Sequence, residues 1–426
     1  MRKIIFLFAG AAALSVPQAT RLTAQPAPAA TPANAEDARL TAFLDAEFAQ
    51  DLKLRPQLAT RLGLKQGEDR LDDISDAGQL RRLEARRASV ARMKARFDRS
   101  KLSSAGQTNY DIWETELQRA ELQYKFRRYQ PPFYSFLYSV HSQLPDFMIN
   151  THTVTDASDM RAYNARLRAI PAVLDTAIAQ SKLADAEGIH APKFEIERVI
   201  NGSKVIITGA PFDSGKDSPL WADAKAKVAK LQSSAKVTPA EANALLADAR
   251  ASILALKPGY QRVIAWATSE LPTAPSGRVG AVSLPGGLGW YAAALKLNTT
   301  LDLTAAQIHA IGLKEVKRIE AEQDALAKEA GFKDRNAFYA YRAKRFPPQP
   351  WNDDLRADYL KRANAAVAHN RELLPARFYN LPKYRAEVVR EPSAMIRSSN
   401  ALTSNFGPRA ASALRRSSMI LSMPIL

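Results

Sequence analysis

The chain has 426 residues, 60 Lys and Arg against 43 Asp and Glu (formal net charge +17), 46% apolar residues and no cysteine. Without cysteine the sequence offers no disulfide, no thiolate nucleophile, no Cys-based zinc site and no lipid-acceptor thiol. It must hold itself together by core burial, which this length allows in one large domain or two lobes.

The first element is "MRKIIFLFAGAAALSV", in which Arg2 and Lys3 precede an apolar run from Ile4 to Val16. This pattern reads as an export signal over residues 1–24, followed by a Pro/Ala-rich linker over 25–36. The run is shorter than the roughly 20 residues that span a bilayer. The expectation is a periplasmic or secreted protein with no stable membrane insertion after signal cleavage.

From there, apolar residues at helical spacing, capping residues and Pro or Gly turn markers predict an all-α fold. Helices are expected over 37–54, 76–97, 103–126, 158–184, 219–231, 239–270, 288–297, 305–330, 335–345 and 353–374. The densest basic stretch, "RRLEARRASVARMKARFDR" (81–99), keeps Leu83, Val90, Met93 and Phe97 on one helical stripe. Its arginines therefore read as a solvated face; with no base-stacking module beside them, no nucleic-acid partner is expected. The best strand signal is "YRAEVVRE" (384–391), so at most a minor β element is expected near 384–391. After it the composition breaks: from Pro392 to Leu426 the only charges are Arg397, Arg409, Arg415 and Arg416. The helical domain is therefore expected over 37–391, with 392–426 a disordered tail of the kind a shifted reading frame or early truncation leaves.

"GAPFDSGKDS" (209–218) has the wrong glycine spacing for a phosphate loop and puts Asp217 where a Mg²⁺-binding hydroxyl is needed. "PGGLGWY" (285–291) lacks the strand and spacing of a dinucleotide site. No G-x-S-x-G elbow occurs. His369 and Glu372 share a helix face at i,i+3 but find no third ligand, and Pro192 interrupts the spacing between His190 and Glu195 or Glu197. His141 and His152 flank "SQLPDFMIN", read as a loop.

The segment "LTAAQIHAIGLKEVKRIEAE" (303–322) raises its own question about His309. Thr304 and Gln307 form a capping box, and Ile308, Ile311, Gly312, Val316 and Ile319 fall on one stripe expected to be buried. Gly312 and Leu313 occupy the i+3 and i+4 positions where a second metal ligand would stand. His309 is thus expected to be a half-buried scaffold residue. Trp290 and Tyr291, with His309 and His141, are the candidate cleft-lining residues; catalytic and metal residues are none.

Three segments carry a family resemblance: "FLDAEFAQDLKLRPQLATRLGLKQGEDRLDDIS" (43–75), "SLPGGLGWYAAALKLNTTLDLTAAQIHAIGLKEVKRIEAE" (283–322) and "LPKYRAEVVREPSA" (381–394). Over roughly 35–394 the chain resembles the exported bacterial family catalogued as domain of unknown function 885. The resemblance implies a mostly helical, zincin-like scaffold and a metallopeptidase activity dependent on zinc. In relatives the presumed metal segment, His-Glu-x-x-Pro-Gly-His, follows the strand that "YRAEVVRE" resembles. This sequence departs from the family there, and no metal residue is carried over. The expectation is a truncated member, inactive alone and with no cofactor of its own, that self-associates through exposed apolar surface. The alternative is a periplasmic peptide- or envelope-binding protein that uses the helical cleft.

Overall fold

Side-chain caps set where the helices begin. The structure, a computed structural model, describes residues 35–134, 139–277, 280–347, 352–378, 381 and 386–388. Ser75 and Ser103 accept from the backbone N–H of Gly78 and Gly106 at 3.1 and 3.2 Å, and Asp156 accepts from Ser158 and Asp159. Thr238 with Glu241 and Thr304 with Gln307 form reciprocal capping boxes. Each such cap satisfies donors the first turn leaves free and is worth about 1 kcal/mol.

In chain order the helices are α1 (Ala35–Lys53), α2 (Pro56–Arg61), α3 (Asp76–Arg96), α4 (Ser104–Lys125), α5 (Val140–Asp146), α6 (Ala157–Ala186) and α7 (Lys193–Ile206). They continue as α8 (Pro219–Ser233), α9 (Pro239–Leu254), α10 (Leu256–Glu270), α11 (Gly287–Thr299), α12 (Ala305–Glu329), α13 (Arg335–Arg345) and α14 (Asp353–Leu373). The fold class is all-α: among the described residues the β pairing is one isolated bridge, Ala210 to Asp217. The predicted signal peptide, the linker up to residue 34, most of the predicted strand and the tail after Glu391 lie outside the described residues. Of the strand, residues 386–388 are described and are not paired into a sheet; Asn364 of α14 instead clamps Val388 through both its N–H and its carbonyl, at 2.8 and 2.9 Å.

Two cores result. In the smaller, α1, α3 and α4 bury Leu40, Phe43, Leu44, Val90, Met93, Tyr110 and Trp113. The larger is built from α5 to α10 around Phe147, Met148, Met160, Leu167, Ile170, Leu174, Tyr260 and Val263. Gly259 lets α10 come close to α6, since a Cβ there would lie 3.0 Å from Pro171. Arg128 joins the two cores: its guanidinium meets Asp76 at the start of α3, and Gln180 (2.7 Å) and Glu187 (3.2 Å) at the end of α6.

The structure corrects several expectations. The basic stretch 81–99 is a cross-linking comb as well as a solvated face: Arg86 reaches Asp51, Arg87 reaches Glu121, Arg92 reaches Glu47, and Arg99 forks onto Asp111. "SQLPDFMIN" is not a loop but α5 and a π turn, Phe147–Thr151, with Phe147 and Met148 fully buried. Two carbonyls of that turn, Met148 and Ile149, are satisfied by the Lys227 ammonium at 3.0 and 3.1 Å. The single helix expected over 239–270 is two, because Pro258 cannot donate to the Leu254 carbonyl, where α9 stops.

The largest correction concerns α12. Its apolar stripe is not buried: Ile311, Val316 and Ile319 are 52%, 53% and 42% exposed. Among the described residues of α12, α13 and α14, Ala327 alone is buried. It sits beside α13, which is fixed by Arg335 on Glu320 and Asp324 and by the rings of Phe332, Phe338 and Tyr341.

Candidate functional site

The groove between α6 and α10 is open and holds about 440 Å³. Ile178, Ala265 and Trp266 give it apolar walls, and Asp175, Lys182, Arg262 and Ser269 give it polar ones. These residues meet because α6 and α10 pack side by side and each presents residues three and four apart. Asp175 and Arg262 form a two-point ion pair across the groove, at 2.7 and 2.8 Å. Both partners are about half exposed, so the pair fixes a charged edge more than it stabilises the fold.

A second polar cluster lies where these two helices end. The Tyr134 hydroxyl donates to Asp185 and lies 2.9 Å from the Ile189 carbonyl, and His190 Nδ1 lies 3.3 Å from Asp185. Burial pushes the Asp185 carboxyl above its usual range; burial, then the charge of Asp185, does the same to Glu270. Burial, followed by the Asp185 hydrogen bond and charge, raises the Tyr134 phenol strongly. Two acids of raised pKa thus stand together with an exposed histidine next to the groove.

The four residues singled out in the sequence do not line one cleft. His141 is buried on α5, its Nδ1 2.6 Å from Ser139 Oγ and its ring against Gly202, and burial alone pulls its pKa down to about 4. That is an interior position, which follows from the region being helix and not loop. Trp290 stacks on Tyr129 (centroids 5.6 Å apart, planes 11° apart), while Tyr291 on the same helix is 42% exposed. His309 is exposed on α12 and not half-buried, because no described element covers the stripe beside it.

The remaining histidines have local partners. His152 is buried, receives a hydrogen bond from Arg166 at 2.9 Å and is pulled down to about 3 by burial and then by the Arg166 charge. His369 faces Glu372 at 3.7 Å on the surface of α14. Among the described residues no three His, Asp or Glu side chains come together as a metal site. The described residues thus offer no assembled donor set for the zinc that the family resemblance implies. Sequence reasoning missed the groove itself, since Asp175 and Arg262 are 87 residues apart and only the packing of α6 on α10 unites them.

The chain matches the family model described as Bacterial protein of unknown function (DUF885) over residues 56–424. No curated protein matches it by sequence. A candidate lipoprotein of Colwellia psychrerythraea shares the fold with a TM-score of 0.71 at 18% identity, over 86% of this chain and 64% of that one. A candidate lipoprotein of unknown function from Shewanella oneidensis gives 0.50 at 16% identity, over 79% of this chain and 56% of that one. The chain thus spans less than two thirds of the length of either structure, and at these identities the likeness concerns the fold. With the family model running over most of its length, the chain belongs to the bacterial DUF885 family.

Proposed function

We propose that the chain is an exported helical scaffold of this family that does not hydrolyse peptides on its own. The dispersal of its histidines carries the reading. The metallopeptidase activity implied by the resemblance needs a His-Glu pair on one helix face plus a further ligand. Here His141 and His152 are interior, His190 and His369 each face one carboxylate, and His309 stands alone on α12. Export is supported by the basic and apolar start of the sequence and by the two structural relatives, both described as candidate lipoproteins. The test is zinc content after extensive dialysis together with turnover of a fluorogenic peptide panel. The expected result is substoichiometric zinc and no turnover; equimolar zinc that is lost in His369→Ala, with peptide cleavage, would refute the proposal.

A second reading rests on the α6–α10 groove, whose apolar floor and charged edge suit a short peptide or an envelope component. Titrating peptides against tryptophan fluorescence tests it. Saturable quenching that weakens in Lys182→Ala and Arg262→Ala supports a binding role, and its absence removes it.

A further inference from the structure

We propose that α12 is a homodimer interface in which two copies of the chain cross antiparallel, with Gly312 on the two-fold axis. Gly312 lies in the middle of a 25-residue helix, where glycine costs about 1 kcal/mol relative to alanine. A Cβ on it would meet nothing within 4 Å. Nothing described in the chain's own fold therefore asks for a glycine there, whereas a second backbone approaching closely does. The residues around it are exposed and aliphatic, with Ile311, Val316 and Ile319 about half exposed and Leu326 57% exposed.

The occupant follows from the symmetry of the spacing. An antiparallel crossing centred on Gly312 brings the residue k places before it opposite the residue k places after it. Ile308 then meets Val316 of the other copy at four places, and Ala305 meets Ile319 at seven. The apolar stripe is thus self-complementary, as an isologous interface requires.

The charges leave this face clear. From Ala305 to Leu313 the helix has no Asp, Glu, Lys or Arg, and Lys314, Lys317 and Arg318 fall about 120° or more around the helix from Gly312, off the apolar stripe. A parallel crossing would set Glu315 against its own copy. At three places the pairing puts His309 opposite Glu315, whose carboxylate Arg318 already orients at 2.9 Å within its own helix. The exposed histidine thereby gains a hydrogen-bond acceptor that its own chain does not supply at that position.

Sedimentation equilibrium on the full exported chain tests this, with circular dichroism to confirm helix content in each variant. The chain is expected to show a reversible monomer–dimer equilibrium. Gly312→Leu fills the notch without harming the monomer, since leucine is the better helix former, and is expected to weaken the dimer at least about tenfold. His309→Glu sets two carboxylates against each other and is expected to weaken it similarly; the double variant His309→Glu/Glu315→Lys restores it to within about threefold. A chain that stays monomeric up to about 100 µM overturns the proposal. So does irreversible aggregation, or a dimer indifferent to Gly312→Leu and to the charge exchange.

Discussion

Replacing Arg166 by methionine should destabilise the protein by about 1–3 kcal/mol, because acceptors that its guanidinium satisfies are left without a donor. Arg166 is fully buried on α6 and has no carboxylate within hydrogen-bonding distance. Its guanidinium instead donates to the carbonyls of Arg70 (2.8 Å), Gly67 (3.1 Å) and Pro56 (3.3 Å), to Thr60 Oγ1 (2.8 Å) and to His152 Nδ1 (2.9 Å). Burial pulls its pKa down to about 10, so it remains charged at neutral pH. Not every acceptor is stranded by its loss: Pro56 O keeps the Thr60 hydroxyl, and Gly67 O keeps the Arg70 N–H. Arg70 O and His152 Nδ1 lose this donor; the Arg70 carbonyl lies on an exposed residue, while at His152 the orphan is buried and costs about 1–3 kcal/mol. Removing a buried charge returns part of this, while the nearby acids Glu68, Asp72 and Asp69 lose the cation that offsets their own charge. Urea denaturation followed by far-UV circular dichroism measures the total, and hydrogen exchange locates it in the segment around α2 and the turn at Gly67. A loss below about 1 kcal/mol with unchanged protection there would refute the view that this guanidinium organises the segment.

Three further predictions use other parts of the molecule. His141 titrates near 6.5 when unfolded but near 4 when folded, so over that window the unfolded chain binds more protons and stability falls as the pH drops; the shift corresponds to about 3 kcal/mol, and His141→Gln should lose correspondingly less between pH 6.5 and 4 in acid-dependent urea melts. Gly202→Ala places a methyl group 2.6 Å from Nε2 of the buried His141 ring, and overpacking should outweigh the helix-propensity gain, for a net loss of about 1–2 kcal/mol in the same melts. His309→Ala, at concentrations where the chain is monomeric, should change stability by less than about 0.5 kcal/mol, because the side chain is exposed; a loss of several times that would show that something covers α12 within one copy.

The sequence made most helices legible because their ends are marked: Ser103, Thr238 and Thr304 all cap where residue type suggested a start, while Asp156 caps just ahead of the start expected at Ser158. It concealed α5, where Pro145 argued against a helix that α6, α7 and the π turn hold in place, and α7, whose Pro192 start and β-branched Ile and Val residues gave a weak helical signal. The stripe of α12 was read correctly as apolar and wrongly as buried, since periodicity reports which face seeks a partner and not whether this chain supplies one. For the candidate site, the sequence offers Trp290 as a cleft-lining residue, and the structure stacks it on Tyr129. Its partner Tyr129 lies 161 residues away, however, and the groove at Asp175 and Arg262 depends on packing that no local pattern encodes.

The stack of Trp290 on Tyr129 has a consequence for how the molecule opens. Helices α11 to α14 bury very little, with Gly287, Ala293 and Ala327 their buried residues among those described. At their root, Pro285 accepts from the Tyr129 hydroxyl at 2.5 Å and sits where a Cβ on Gly188 would touch it at 3.1 Å. An attachment of one ring stack and one turn costs far less to break than either core, so these helices form a low-stability foldon that detaches and melts before the rest. Trp290 is one of five tryptophans, so the part of the fluorescence change that Trp290→Phe removes gauges that event: it should move at a lower urea concentration than the main circular-dichroism transition, and Tyr129→Ala should widen the gap between the two.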